Sequence, residues 1–279
     1  MNTLHSCLLV NHLWCEVSVR IFWKNIWNYR DSNFYTLIVC LPVESKEILS
    51  KNGIIISTST SKPPMFNYAS FCKVLSIDQV HYKLKQILRN QQSISLQNLK
   101  NNTYILEQEL FKHFFSQGSL KILDLYRNFN FYPEAEECLK NLSELRCKSA
   151  DLSSEILYQL SQTCHNILSL DLFVDQSTVD RVISKGLTDL ISAQKNLKHL
   201  NIKCFYMEGG FEDVMSSLTN PNKITKLCLH SMFHCFSLSF IIEFTNLQEL
   251  ELKFNYNECF KDFEKLQYAF FPKLQILNI

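Results

Sequence analysis

Apolar residues in the second half of the chain recur in one short spacing: apolar, two others, apolar, one other, apolar. It reads SLKILDL at 119–125, NLSELRC at 141–147, NILSLDL at 166–172 and NLKHLNI at 196–202. It continues as KITKLCL at 223–229, NLQELEL at 246–252 and KLQILNI at 273–279. The first apolar positions (Leu120, Leu142, Ile167, Leu197, Ile224, Leu247 and Leu274) lie 22, 25, 30, 27, 23 and 27 residues apart. Within each segment the last two apolar positions alternate with others, which is the period of a strand with one buried face. The spacing predicts parallel strands near 122–126, 144–148, 169–173, 199–203, 226–230 and 249–253.

Between these strands the period lengthens to that of a helix. Ser153 to Cys164 places Ile156, Leu157, Leu160 and Cys164 on one face. Thr178 to Ala193 does the same with Val179, Val182, Ile183, Leu187, Leu190 and Ile191. Shorter helices are expected at 211–218, 238–244 and 260–268. Strand-plus-helix units of this length have the period of leucine-rich repeats. One such unit cannot bury its own apolar face, whereas stacked neighbours can. The fold class predicted for 119–279 is therefore α/β: a leucine-rich-repeat solenoid, a ribonuclease-inhibitor-like horseshoe with a parallel sheet and outer helices. Three residues past the last apolar position, an Asn or Cys is expected to satisfy backbone groups where the chain turns away. Asn128, Asp175 and Asn255 suit that role, while Ala150, Phe205 and Met232 do not.

The first half carries no such ladder. Leu4/Leu8, Leu9/Leu13 and Val10/Trp14 are i,i+4 pairs of a short helix. A second apolar set follows in Val17, Ile21, Phe22 and Trp23, so 1–29 reads as a small helical pair with a tryptophan core. Residues 30–118 read as a helical connector or degenerate repeats. Pro42 and SKEILSKNG indicate a helix closed by Gly53, Ile54 to Ile56 a strand-like run, and 57–64 a loop. Helices are expected over 66–89 and 104–115, with a polar loop over 90–102.

Composition narrows the function classes. Net charge is +1, which favours neither nucleic acid nor an anionic membrane as partner. No run approaches the roughly 18 apolar residues of a spanning helix. Eleven cysteines, an odd number with no CxxC pair, read as reduced thiols in a cytoplasmic or nuclear protein. No GxGxxG, GxxxxGK[ST], GxSxG or HExxH is present, so no cofactor is expected. Cys228, His230, His234 and Cys235 form the one Cys/His cluster, but their spacing matches no common zinc motif. No third residue suggests itself to orient a Cys/His nucleophile. The reading is of a protein that is not an enzyme and has no metal site.

Function is then expected on the strand residues that flank the buried leucines. These are Ile122, Asp124 and Tyr126; Glu144, Arg146 and Lys148; Ser169, Asp171 and Phe173. Then come His199, Asn201 and Lys203; Lys226, Cys228 and His230; Glu249, Glu251 and Lys253. Aromatic and arginine side chains are the usual anchors of protein interfaces. The substrate-binding set expected is Asp124, Tyr126, Arg146, Lys148, Asp171, Phe173, Asn201, Lys203, His230, Glu251 and Lys253.

The wording of the N-terminus, LxxCLLVNxLWxxxSVxIFWxN, resembles the C-terminal half of an F-box, with Leu8, Val10, Asn11, Trp14 and Trp23 at matching positions. The combination with leucine-rich repeats is similar to the large expanded fungal F-box families. That resemblance implies a substrate-recognition subunit of a cullin-based ubiquitin ligase, with the repeats selecting a protein for ubiquitin-dependent degradation. It also implies that Leu8, Leu9, Val10, Leu13, Trp14 and Trp23 meet a Skp-type adaptor, which links the chain to the cullin core. Trp14 and Trp23 are expected to pack together. The LPxEL-like opening helix of the family is not in this sequence. The alternative is a non-catalytic leucine-rich-repeat scaffold outside any ubiquitin ligase. The final segment stops at Ile279 on the sixth residue of its repeat, which predicts an uncovered last strand, material missing at both ends, and self-association.

Overall fold

The structure, a computed structural model, describes residues 6–55, 64–91, 95–148, 152–174, 181–204, 211–231, 238–254 and 263–279. It is α/β, and its described residues form an eight-stranded, all-parallel sheet whose strands follow one another in chain order. The strands are β1 (Val74–Ser76), β2 (Ile122–Leu125), β3 (Glu144–Lys148), β4 (Ser169–Val174), β5 (His199–Cys204), β6 (Lys226–Ser231), β7 (Glu249–Phe254) and β8 (Ile276–Asn278). Among the described residues there are nine α-helices: α1 (His12–Phe22), α2 (Asp31–Val39), α3 (Val43–Lys51), α4 (Ile77–Gln91), α5 (Leu96–Ser116), α6 (Pro133–Leu139), α7 (Ser154–Thr163), α8 (Arg181–Ser192) and α9 (Phe211–Ser216). The chain divides into two units, residues 1–123 with 132–138 and residues 124–131 with 139–279.

In the first unit, α1 starts where Asn11 caps it, its Oδ1 accepting from the Trp14 N–H at 3.0 Å. That cap corrects the helix expected over 4–14: the backbone turns at 8–10, and Val10 and Trp14 do not share a helix. Trp23, 6% exposed, packs on Tyr29 at 5.0 Å and Tyr68 at 4.4 Å between ring centroids. The Tyr29 hydroxyl donates to the Trp23 carbonyl. Trp14 is 52% exposed and takes no part in this cluster, so the expected Trp14–Trp23 contact is not formed. The two sit nine positions apart, which turns them to different faces of α1 and its end.

A second correction concerns 66–89. Tyr68–Phe71 is a 3-10 turn and Val74–Ser76 is a buried strand before α4 begins. The Lys73 and Val74 N–H groups both donate to the Lys24 carbonyl, so a long-range backbone pairing overrides the helical pattern. The polar stretch expected as a loop over 90–102 is also mostly helical: α4 runs to Gln91, and Ser95 caps α5 by accepting from the Asn98 N–H. Gly53 closes α3 at φ 70°, the left-handed conformation glycine adopts without strain. Ile54 and Ile55 belong to no strand, and Ile56 lies outside the described residues.

The second unit follows the repeat. Pairing is parallel from β3 through β8, and Leu145, Leu170, Leu200, Leu227, Leu250 and Leu277 stand in register. The first five are buried and form the core with Leu172, Ile202, Leu229 and Leu252. Side chains on that face stack leucine on leucine, each worth about 1.5–3 kcal/mol when fully buried. Leu277 is exposed, as are Ile276 and Ile279.

Side-chain hydrogen bonds and one close helix approach tie repeats to one another. Asn128 accepts from the Ser153 N–H at 2.7 Å, the role expected of the residue three past the strand. The corresponding residues Ala150, Asp175, Phe205, Met232 and Asn255 lie outside the described residues. Gln194 is buried and donates to the carbonyls of Cys164 (2.6 Å) and Leu190 (2.8 Å) while accepting from the Ile167 N–H (3.1 Å). Gly186 lets α8 approach α7, since a Cβ there would meet the Leu157 Cβ at 2.9 Å. Ser153 caps α7 by accepting from the Ile156 N–H. The last two connections carry no α-helix over 238–244 or 263–268, only 3-10 turns at Ser239–Glu243 and Phe263–Tyr268. Both stretches are short, and 3-10 helices occur in short pieces.

Candidate functional site

Alternation along β3 to β7 sends every second side chain away from the leucine core. The register lines these up in three rows across the second unit. The first row runs Glu144, Ser169, His199, Lys226, Glu249. The second runs Arg146, Asp171, Asn201, Cys228, Glu251, and the third Lys148, Phe173, Lys203, His230, Lys253. Neighbouring residues in a row are about 4.8 Å apart, the strand spacing. A cavity of about 600 Å³ lies on the first two rows, with Glu144, Asp171, Asn201, Cys228, Glu249 and Glu251 among its lining. Thr225, Gln248 and Gln275 also line it. They were missed by the strand-based reading because they precede the strands, at the first of the two unconstrained positions of each repeat.

Most charges on this face are already paired. Arg146 holds Glu144 at 2.7 Å through Nε and reaches Asp124 at 3.4 Å. Lys226 holds Glu249 at 2.8 Å. Glu251 is paired with Lys253 and lies 3.2 Å from His230 Nε2. Lysine hydrogen bonding and the neighbouring imidazole hold its carboxyl below the usual range. Lys148 sits 5.8 Å above the Phe173 ring. Lys203 is exposed and in no ion pair among the described residues. Tyr126 is partly buried. Asp124 is placed differently from the other expected site residues: it is buried beneath Arg146, so it positions that guanidinium instead of facing solvent.

Cys228 is the one thiol on these rows. Burial and then the Glu251 carboxylate push it up to about 11, so it stays protonated at neutral pH. An activated thiolate needs the reverse, a cationic neighbour. His230 turns to Glu251, and its own pKa is lowered by burial. Cys228, Glu249 and Glu251 bring donor atoms within 4.8 Å of one another, but Lys226 and Lys253 already neutralise both carboxylates. His234 and Cys235 lie outside the described residues. Cys147 and Cys204, on the core side, are pushed up to about 12 by burial alone or nearly so.

The first unit presents a different surface. Leu9 (88%), Leu13 (69%), Val10 and Trp14 are exposed, and Val17 and Ile21 continue the same side of α1. Leu8 is partly buried and Trp23 is core. Of the residues expected to face an adaptor, Leu9, Val10, Leu13 and Trp14 are therefore open to solvent. Glu16 and Arg20 pair at 2.7 Å one turn apart, and Arg20 lies over the Phe71 ring.

No known family model matches this chain. No curated protein matches it either. No described helix is long and apolar enough to cross a membrane.

Proposed function

We propose that this chain is a non-catalytic leucine-rich-repeat receptor that binds another protein on the outer rows of β3 to β7. Within that class it acts as the F-box-type substrate-recognition subunit of a cullin-based ubiquitin ligase in the cytoplasm or nucleus. The observation that carries the binding role is the registered face itself. Five adjoining strands bury one set of side chains and offer the other as a patterned, partly buried surface over a 600 Å³ cavity. Protein interfaces combine such polar rows with a few aromatic and arginine anchors, here Tyr126, Phe173 and Arg146.

The adaptor role has separate support in α1. Leu13, Trp14, Val17 and Ile21 on the helix, and Leu9 and Val10 just before it, are all exposed apolar residues in a segment whose wording resembles an F-box. Soluble proteins rarely leave such a patch open without a partner. Affinity purification of the tagged full chain from cells, with mass spectrometry, tests both roles. Skp-type adaptor and cullin peptides are expected with the wild type and are lost with Leu13→Glu. Targets captured without any adaptor would place the chain among repeat scaffolds outside a ligase. Capture that ignores the repeat face altogether would sink the receptor reading.

A further inference from the structure

The cavity on the repeat face is unevenly charged. Glu144, Asp171, Glu249 and Glu251 line it against one lysine, Lys226. Three of these carboxylates have a cation in contact: Arg146 on Glu144, Lys226 on Glu249, Lys253 on Glu251. Asp171 makes no ion pair among the described residues. Next to it in register on β5 is Asn201, whose side chain helps to hold the Asp171 carboxyl down against the effect of burial. Asn201 Oδ1 is itself buried with no donor among the described residues. A carboxylate in no ion pair, acted on only at longer range by Arg146 and Lys203 of the adjoining strands, and a carbonyl without a donor therefore stand side by side on the cavity wall.

Resting on the receptor reading above, we propose that this cavity takes an arginine side chain from a basic segment of the partner protein. Its guanidinium would donate at once to the Asp171 carboxylate and to Asn201 Oδ1. The chemistry selects the residue. Guanidinium carries five N–H donors in a planar fork and serves two acceptors on adjacent strands, whereas an ammonium is a point charge. Burial raises the Asp171 pKa, so the free carboxylate is under-solvated and gains from a charged donor. An unpaired buried acceptor costs stability in the free protein and is recovered on binding. The cavity is large enough to admit the side chain with flanking backbone. Arg146 does not fill the role, because Glu144 and Asp124 occupy it.

Fluorescence anisotropy with labelled Gly/Ser peptides carrying arginine, lysine or glutamate tests this on the full chain. The arginine peptide should bind tightest. Asp171→Asn should weaken it about tenfold or more, the scale of losing a charged partner. Asn201→Leu should also weaken it, yet raise the melting temperature, because it removes the orphaned acceptor; a merely structural asparagine would lower both. Lys203→Ala should leave arginine binding no weaker. Equal binding to wild type and Asp171→Asn, or tighter binding of the glutamate peptide, would overturn the proposal. Affinity capture separates it from the receptor reading. Partners captured equally by wild type and Asp171→Asn, but lost on Lys253→Glu, overturn the arginine pocket and keep the receptor. Arginine binding that depends on Asp171, with no protein captured through the face, keeps the pocket and removes the receptor.

Discussion

The two units handle polar residues in opposite ways. In the second, strand alternation carries polar side chains outward in rows, and the core behind them is almost wholly leucine, isoleucine and cysteine. In the first, α5 buries Glu107, Gln108, Glu109 and His113 among Phe111, Phe114 and Phe115. Each buried acid there needs its own long-range partner: His81 lies 3.1 Å from Glu107, and Ser45 donates to Glu109 at 2.7 Å. A repeat can satisfy its polar groups locally, one copy against the next. A non-repeating helical unit depends on particular pairs brought from far along the chain.

The largest test of this contrast is Trp23→Ala in the first unit. It removes the ring shared by Tyr29 and Tyr68 and is expected to cost about 3–5 kcal/mol, read as a lower melting temperature and a smaller denaturation midpoint. In the second unit the counterpart is Gln194→Leu. It strands the Cys164 carbonyl and the Ile167 N–H between repeats, for an expected loss of about 2 kcal/mol. Hydrogen exchange should show opening confined to the neighbouring repeats, since each strand pairs only with those next to it in chain order. Uniform opening of both units would break the comparison.

Gly186→Ala is expected to cost about 1 kcal/mol or more, because the added methyl meets Leu157 at 2.9 Å. Gly53→Ala tests backbone strain instead, since open space surrounds that position and only its φ of 70° is restrictive.

A gentler effect comes from pH. His113 is buried, its Nε2 lacks a partner among the described residues, and burial then Lys46 lower its pKa from the ordinary 6.5. The folded state therefore holds it neutral while the unfolded chain takes up a proton. Stability is full above about pH 6.5 and falls as pH drops below it. His113→Gln should flatten that part of the stability–pH curve, measured by urea denaturation. The smallest effect is expected from Trp14→Ala: within about 0.5 kcal/mol on stability, because the ring is exposed, but a clear loss of adaptor in the affinity experiment.

Particular residues show where the sequence is legible. Leu145, Leu170, Leu200, Leu227 and Leu250 announce their strands, because a period of two with one buried face leaves few alternatives. Ser153 and Asn11 mark helix starts by local chemistry, although the Asn11 cap was masked by apolar pairs on either side of it. Val74–Ser76 was illegible as a strand, since its partner is the Lys24 carbonyl about fifty positions away. The face residues were legible as a set, but not Asp124, whose burial depends on Arg146 arriving from the next strand.

By itself, then, the sequence determined that the second half is a ladder of parallel strands and which side chains each strand turns outward. Local periodicity suffices for that, because every repeat meets a near-copy of itself. Only the tertiary structure decided which outward residues become neighbours. The register sets Asp171 beside Asn201, turns Glu251 toward both His230 and Lys253, and leaves one buried carbonyl without a donor. Tertiary packing likewise decided that Trp23 is core while Trp14 faces water. Hydrogen bonds and ion pairs act over about 3 Å, so residues of identical type and spacing differ in role according to what the fold places within that reach.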